Sequence, residues 1–392
     1  MTARIFISAG EASGDLYGSL LISALRERLG TAEFFGCGGK RMRDAGCETV
    51  ADAAELAMVG IVEILPGLPR AWKALRRLRA EIERRQPDLA ILIDFPTFNL
   101  RFAKQCKRAG VSVVYFVAPQ VWAWRTGRLK LLRQYVDRLH CIFPFEETFF
   151  RKAGIAAEFI GHPLAGRVRP TLSAEQFRAR WGLPDKPPLI ALLPGSRRRE
   201  IELNLPPMLE AVRLLAEKGQ YCFVAAAAPA AGPWIRASLE KARLAFPVVE
   251  NQTYNALAHA TVAIVASGTA TVETALLGTP MVVVYRVTPL TWLLGRGLVR
   301  TPFYSMVNLV AGRRIVPEFI QDRFQPEAVA REARQLLESA DLRQRMREGL
   351  REVAERLLPA AAKQINEDPI QRSAAAIESM LIEAHPLSLQ AR

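Results

Sequence analysis

The apolar positions of this chain fall into short, nearly continuous runs separated by longer amphipathic stretches. Such runs, rich in β-branched side chains, predict buried strands. Stretches such as Leu16–Leu29, Leu68–Arg85 and Leu100–Ala109 repeat apolar residues at helical spacing. Strands that are apolar on both faces indicate parallel sheets covered by helices. The predicted strands are Arg4–Ala9, Leu89–Asp94, Val111–Val117, Arg138–Phe143, Leu189–Leu193, Cys222–Ala226, Val262–Ala266 and Met281–Tyr285.

The alternation of strands and helices pauses once, at Ala165–Pro188, which is rich in proline and charge. A chain of 392 residues also exceeds one ordinary hydrophobic core. We therefore predict an α/β protein with two doubly wound Rossmann-like domains, residues 1–170 and 171–360, and a helical tail, residues 361–392, that returns to the first domain. In such folds ligands bind beyond the carboxyl ends of the strands, here expected to face a cleft.

The net charge of +14 favours a negatively charged binding partner. A solvated basic surface that binds no such partner is the alternative. Because the basic residues are scattered and no zinc-finger or RNP spacing occurs, we expect no nucleic acid. Five cysteines without a CxxC pair indicate a reducing compartment. The first residues do not read as a signal peptide and no apolar run approaches about 20 residues, so a cytoplasmic location is expected.

Two turns in the second half of the chain suit an anionic ligand. Pro194–Arg197 and Ser267–Thr269 each follow a predicted strand and open a predicted helix. Backbone N–H groups at a helix start bind anions, and Arg197 is suited to a diphosphate. Glu273, on the helix after the second turn, offers an acceptor for a sugar hydroxyl. An ordinary capped helix start is the alternative at both turns.

Carboxylates in the first half suggest acid–base or hydroxyl-binding chemistry. Glu11 and Asp15 lie between a strand and a helix, where they suit hydroxyl binding or helix capping. Asp94 ends an apolar strand beside Phe95 and Phe98, and desolvation there would make it a stronger base. Capping of a turn is the alternative for Asp94. No cluster of His, Asp or Glu has the spacing of metal ligands, so we expect neither a metal nor a cofactor.

Two apolar stretches with basic residues, Leu56–Arg85 and Thr291–Ser305, suit an anionic membrane surface. Core packing with one solvated face is the alternative for both stretches.

Ten short motifs, spread in order over nearly the whole chain, resemble those of the lipid-A-disaccharide synthase family, inverting bacterial glycosyltransferases of the GT-B fold. The motifs are Gly10–Asp15, Met58–Glu63, Asp94–Asn99, Pro119–Arg125, Pro144–Glu146, Gly161–Leu164, Leu193–Arg197, Ser267–Glu273, Met281–Arg286 and Asn308–Gly312.

The resemblance implies a reaction in which UDP-2,3-diacylglucosamine and 2,3-diacylglucosamine 1-phosphate (lipid X) give the β-1,6-linked disaccharide 1-phosphate and UDP. It implies that Asp94 is the general base and that Glu11, Ser13 and Asp15 lie on the acceptor side. Together with the helix starts described above, it implies a UDP side formed by Gly195, Ser196, Arg197, Ser267, Gly268, Thr269, Glu273 and Asn308.

The expected partners are these two lipid substrates and the anionic cytoplasmic face of the inner membrane, with peripheral attachment. A homodimer is left open. Two other functions compete with this interpretation. One is another UDP-sugar enzyme of the same fold, such as a UDP-N-acetylglucosamine 2-epimerase or the peptidoglycan glycosyltransferase. The other is a non-catalytic basic protein, which would not need paired helix-start sites.

Overall fold

The structure is a computed structural model of the chain, and it describes residues 2–53, 64–124, 126–228, 230–297, 301–364 and 367–384. The chain divides into two compact units. Unit 1 consists of Met1–Pro163 and Leu358–Arg392, and unit 2 of Leu164–Leu357. The predicted motif Met58–Glu63 and residue Arg125 lie outside the described residues.

Unit 1 contains a parallel sheet of seven strands in the order β3-β2-β1-β4-β5-β6-β7. The central strands are apolar along their whole length because helices cover both faces of the sheet. Strand β4, for example, is buried at every position. The strands are β1 Ala3–Ala9, β2 Ala32–Gly38, β3 Cys47–Asp52, β4 Leu89–Ile93, β5 Ser112–Phe116, β6 Arg138–Cys141 and β7 Ala157–Phe159.

The helices of unit 1 come from both ends of the chain. The described helices are α1 Ala12–Leu29, α2 Lys40–Asp44, α3 Ile64–Arg85, α4 Pro96–Arg108, α5 Val121–Trp124, α6 Leu129–Tyr135, α7 Pro144–Lys152, α17 Ala360–Gln364 and α18 Pro369–Ala384, with a 3-10 turn at Thr126–Arg128.

Helix α18 packs along α1, and both polar and apolar contacts hold it there. Arg28 pairs with Glu378 at 2.8 Å, and the Ser373 hydroxyl lies 2.8 Å from Nδ1 of His140 on β6. Ile370 and Ile377 are fully buried in the same helix. The C-terminal helix is thus part of unit 1.

Unit 2 contains a six-stranded parallel sheet in the order β10-β9-β8-β11-β12-β13. Its strands are β8 Leu189–Leu193, β9 Cys222–Ala227, β10 Val248–Glu250, β11 Val262–Ala266, β12 Met281–Tyr285 and β13 Glu318–Ile320. Its described helices are α8 Ala174–Arg180, α9 Arg198–Ala216, α10 Gly232–Lys241, α11 Thr253–His259, α12 Thr269–Leu276, α13 Pro289–Gly295, α14 Met306–Ala311, α15 Pro326–Glu338 and α16 Ala340–Arg356, with a 3-10 turn at Gln321–Arg323.

The strand orders confirm the prediction of doubly wound parallel sheets and place the candidate motifs. The order reverses between β1 and β4 in unit 1, and between β8 and β11 in unit 2. Such switch points open a crevice at the carboxyl ends of the strands, where ligands bind. The four turns singled out from the sequence follow these four strands. Among the described residues, no helix is both long enough and apolar enough to cross a membrane.

Candidate functional site

The turn after β4 holds Asp94 in a strained backbone conformation. Asp94 has φ = 44° and Phe95 has φ = 48°, so two consecutive non-glycine residues are left-handed. Each such residue costs on the order of 1 kcal/mol or more, and strain of this kind concentrates at functional sites. Asp94 is half-buried in this turn, and Pro96 then begins α4.

Two buried side chains stabilise this turn through the carbonyl oxygen of Asp94. Asn99 donates its Nδ2–H to that oxygen at 2.9 Å, and the Tyr115 hydroxyl donates to it at 2.5 Å. The amide of Asn99 also accepts a hydrogen bond from the Ser8 hydroxyl on β1 at 2.9 Å. The neighbouring strands β1, β4 and β5 therefore fix the backbone that carries Asp94.

The turn after β1 packs against the Asp94 turn at the aromatic ring of Phe95. A Cβ atom on Gly10 would lie 2.4 Å from the Phe95 ring, so only glycine leaves room for Phe95. Glu11 is the N-cap residue of α1, and Ser13 lies half-buried in its first turn. The structure thus brings Glu11 and Ser13 to the same switch point as Asp94.

Asp15 is engaged in capping, the alternative that the sequence left open. Its carboxylate accepts hydrogen bonds from the backbone N–H groups of Gly39 at 2.7 Å, Arg41 at 3.0 Å and Met42 at 3.1 Å. These donors belong to the start of α2, where a carboxylate also complements the helix dipole. A direct contact of Asp15 with an acceptor stays a prediction.

Glu146, at the third position of α7, is a buried carboxyl group whose role the sequence did not reveal. Its Oε2 accepts from the N–H groups of Ile142 at 3.2 Å and Phe143 at 3.1 Å, and its Oε1 accepts from the indole of Trp122 at 3.1 Å. Burial raises the pKa of Glu146 to about 8, although these N–H donors oppose the rise and the charge of Asp94 adds to it. The sequence signal was a Pro-x-Glu start of a helix after a strand.

In unit 2, the backbone N–H groups of the turn after β8 donate to a carboxylate of the protein itself, and the predicted binding of an anionic ligand there stays a prediction. Gly195 has φ = 125°, and a Cβ there would lie 2.7 Å from Cβ of Glu200. Glu200 folds back to accept from the N–H groups of Ser196 at 3.1 Å and Arg197 at 3.3 Å. The exposed Arg197 guanidinium lies 3.4 Å from the same carboxylate.

The turn after β11 presents the second helix start. Gly268, at φ = 154°, is the N-cap residue of α12, and Thr269 is its first residue. Ser267 donates its hydroxyl to the carbonyl of Tyr304 at 2.9 Å, which joins this turn to the segment before α14. The first N–H groups of a helix lack intrahelical acceptors, so this end favours an anion.

Glu273 lies on α12 just beyond this turn. The Tyr254 hydroxyl donates to its carboxylate at 3.2 Å. Burial raises the pKa of Glu273, while the bond from Tyr254 lowers it. Its placement is compatible with the predicted contact to a ligand hydroxyl.

Asn308 is fully buried, and its amide is saturated by protein groups. Its Nδ2 donates to the carbonyl of Val316 at 2.9 Å and to Glu318 at 2.8 Å. Its Oδ1 accepts from the N–H groups of Ile315 at 2.7 Å and Val316 at 3.0 Å. This arrangement favours a role in holding the loop after α14, and the predicted contact of Asn308 with UDP stays a prediction.

A second asparagine, which the sequence did not single out, connects two loops of this edge. Buried Asn204 donates to the carbonyl of Glu200 at 2.8 Å and accepts from the N–H of Arg286 at 2.7 Å. It thereby ties the start of α9 to the end of β12. Within the described residues, no group of three or more His, Cys, Asp or Glu side chains is arranged to hold a metal ion.

Comparison with known proteins shows the family. The family profile described as lipid-A-disaccharide synthetase matches residues 5–367. A lipid-A-disaccharide synthase of Solibacter usitatus is 47% identical over 355 residues, covering 90% of this chain and 93% of that protein. One of Koribacter versatilis is 43% identical over 384 residues, covering 96% and 98%. This chain belongs to the lipid-A-disaccharide synthetase family. The resemblance inferred from its motifs is confirmed, as is its role as a glycosyltransferase in lipid A disaccharide synthesis.

Solved structures agree on the fold. The UDP-GlcNAc 2-epimerase of Neisseria meningitidis, bound to UDP-GlcNAc, matches with a TM-score of 0.64 at 13% identity, covering 98% of this chain and all of that one. CalG4, the calicheamicin glycosyltransferase, matches with a TM-score of 0.59 at 17% identity, with the same coverage. At these identities the likeness shows the fold alone, and the GT-B prediction is confirmed. Family membership, in contrast, separates this chain from the epimerases.

Proposed function

We propose that this glycosyltransferase moves a 2,3-diacylglucosamine unit from UDP to the 6-hydroxyl of 2,3-diacylglucosamine 1-phosphate, with inversion and without a metal ion. Asp94 removes the proton of the 6-hydroxyl as the oxygen attacks the anomeric carbon. The bond from that carbon to the UDP oxygen breaks on the opposite face, which leaves a β-1,6 link and UDP. The observation that carries the proposal is the strained, clamped turn that presents Asp94 at the switch point of unit 1.

The leaving diphosphate is bound in unit 2. Its growing negative charge is stabilised by Arg197, by the Ser196 hydroxyl and by the N–H groups of the turn at Ser267–Thr269. The N–H groups of the turn at Gly195 contribute once the diphosphate displaces the Glu200 carboxylate from them. Glu273 accepts a hydrogen bond from a ribose or uridine group, and Asn308 supports the site. On the acceptor side, Glu11 and Ser13 contact sugar hydroxyls, while Asp15 holds the start of α2 beside them.

Incubation with both lipid substrates, read by mass spectrometry, tests the reaction. We expect the tetraacyl disaccharide 1-phosphate and UDP, with a β configuration by NMR. The rate should be the same after exhaustive treatment with EDTA, because guanidinium and helix N–H groups supply the counter-charge. Loss of activity on chelation, with recovery on adding Mg²⁺, contradicts the metal-free mechanism. An absent disaccharide contradicts the proposed reaction itself.

We also propose that the protein acts in the cytoplasm, attached peripherally to the anionic inner-membrane surface where both substrates reside. Helix α13 supports this proposal, since it exposes 66% of Leu290 and 61% of Leu293, with Arg296 exposed at its end. Apolar side chains next to a cation suit an anionic interface, and the net charge of +14 adds attraction.

Flotation with vesicles of anionic lipid measures this attachment. The bound fraction should fall when salt is raised from about 0.05 to 0.5 M, because the Debye length shrinks from about 14 to 4 Å. Binding that is equal on neutral and anionic vesicles, or unchanged by salt, argues against the interface. Sedimentation equilibrium of the same sample decides whether a homodimer, which the sequence leaves open, forms.

A further inference from the structure

The carboxyl edge of unit 1 contains a second buried acid, Glu146, in addition to the base assigned above. Glu146 is fully buried, and both of its oxygens accept hydrogen bonds. Two of the three donors are backbone N–H groups at the start of α7, as in an ordinary helix cap. The third donor, the indole N–H of Trp122, belongs to a different element, the short helix α5 that follows β5.

The hydrogen bond from the Trp122 indole to Glu146 is not needed to cap helix α7, because the two backbone N–H groups already do so. An indole that reaches this carboxylate from another loop therefore indicates a second role for Glu146. The Trp122 ring also packs edge-on against Phe145, with centroids 4.9 Å apart. Glu146 and Phe145 therefore fix both the polar and the apolar side of a half-buried indole at the end of β5.

This indole and Asp94 follow neighbouring strands. Strands β4 and β5 pair in parallel up to Ile93 and Phe116, and Asp94 continues that register through its N–H bond to the Phe116 carbonyl at 3.0 Å. Glu146 follows the next strand, β6. Asp94, Trp122 and Glu146 therefore follow three consecutive strands at one edge of the sheet, β4, β5 and β6.

We propose that Glu146 is a positioning residue of the transfer reaction, which holds Trp122 against the acceptor side and adds negative charge at the sheet edge that carries the base Asp94. The inference rests on the proposed function, because it assigns a second role at the same site. A carboxylate accepts an indole N–H more strongly than a neutral carboxyl does. Negative charge on Glu146 also repels the charge on Asp94, which makes Asp94 a better proton acceptor.

The protonation of Glu146 provides a signature that a structural cap lacks. Its pKa, raised by burial to about 8, lies where activity is readily measured. The other titratable groups at this edge include Glu11 after β1, Asp94 after β4, Tyr115 on β5, Cys141 at the end of β6, Glu147 on α7, and His162. Burial raises the pKa values of Tyr115 and Cys141, and the charge of Glu146 adds to the rise at Cys141. Burial lowers the pKa of His162 to about 3, so it does not titrate near pH 8.

The test compares E146Q, W122F and the parent enzyme, with E147Q as the matched control. Glu147 is the next residue of α7 and pairs with Arg151 at the surface. We expect kcat/KM for the acceptor to fall about tenfold or more in E146Q and severalfold in W122F, the scale of a misplaced positioning group. Affinity for UDP should be unchanged in all three variants. In the parent and in E147Q, kcat/KM should rise as the pH passes through about 8, and in E146Q this rise should be absent.

Three outcomes overturn the inference. They are an E146Q enzyme with parental kcat and KM, a rise through pH 8 that persists in E146Q, and a defect in E146Q that appears only as a lower melting temperature. If E146Q does not fold, W122F decides the matter, since it removes the N–H donor while leaving a smaller aromatic ring beside Phe145. A parent enzyme that forms no disaccharide would contradict the proposed function instead, so the two failures are distinguishable.

Discussion

The carboxyl edges of the two sheets are built from different chemical groups. In unit 1, side chains dominate. Asp94 lies on a strained turn after β4, and Glu146 lies buried after β6, at the same edge of the sheet. In unit 2, the edge consists mainly of backbone N–H groups at helix starts that follow Gly195 and Gly268, those of Ser196 and Arg197 donating to Glu200. Glycine turns cost little strain and suit an ionic ligand, whereas clamped side chains suit proton transfer. The difference fits the division of roles proposed above, in which unit 1 supplies the base and unit 2 binds the nucleotide.

The largest effect that this comparison predicts is the loss of turnover when the proposed base in unit 1 is replaced. D94N removes the base but keeps a residue that tolerates φ = 44°, so the turn should be preserved. We expect kcat to fall by about 100-fold to 10,000-fold, the range of general-base catalysis, with UDP affinity unchanged. Steady-state kinetics and calorimetry with UDP measure the two quantities.

Asp88 provides a matched control at the opposite end of β4, where it accepts from the N–H of Arg4 at 2.7 Å. D88N should keep kcat within about twofold of the parent, because this carboxylate lies at the amino edge of the sheet. Comparable losses of turnover in D94N and D88N would mean that damage to unit 1, rather than loss of a base, explains the effect.

A smaller effect is expected in unit 2, and on binding rather than on turnover. Hydrogen bonds to charged groups contribute about 1.5–3 kcal/mol, so R197A should weaken UDP binding about 10-fold to 100-fold. R199A is the matched control, since Arg199 is also exposed, two residues further along the chain. Its loss should change the dissociation constant by less than about twofold. Equal effects of the two substitutions in calorimetry would indicate that general positive charge, and not the turn at Gly195, attracts UDP.

The sequence predicted the interior of both sheets better than their edges. Strands β8, β11 and β12 have the bounds expected from their apolar runs. All four edge strands, β3, β7, β10 and β13, were missed, because an edge strand is covered on fewer sides and need not be continuously apolar. Interior strand β2 was also missed, since Glu33 and its glycines interrupt the apolar run.

The candidate site shows a similar limit. The turns were predictable because a strand, a glycine or a proline, and a helix start follow one another in the sequence. The partners that shape them were not predictable, because Asn99, Tyr115 and Asn204 act through contacts between separate strands and loops. Buried Glu146 looked like an ordinary residue of a helix start. Only the fold reveals that an indole from another loop meets its carboxylate.

The docking of α18 on α1 has a consequence for the order of events during synthesis. The segment Met1–Pro163 of unit 1 leaves the ribosome before unit 2, yet helix α18 of the same unit follows the whole of Leu164–Leu357. At about 5–20 residues per second, that stretch takes roughly 10 to 40 s to make. During this interval the surface of α1 on which α18 later packs has no helix to cover it. The unit that carries the proposed base is therefore begun before unit 2 and completed after it.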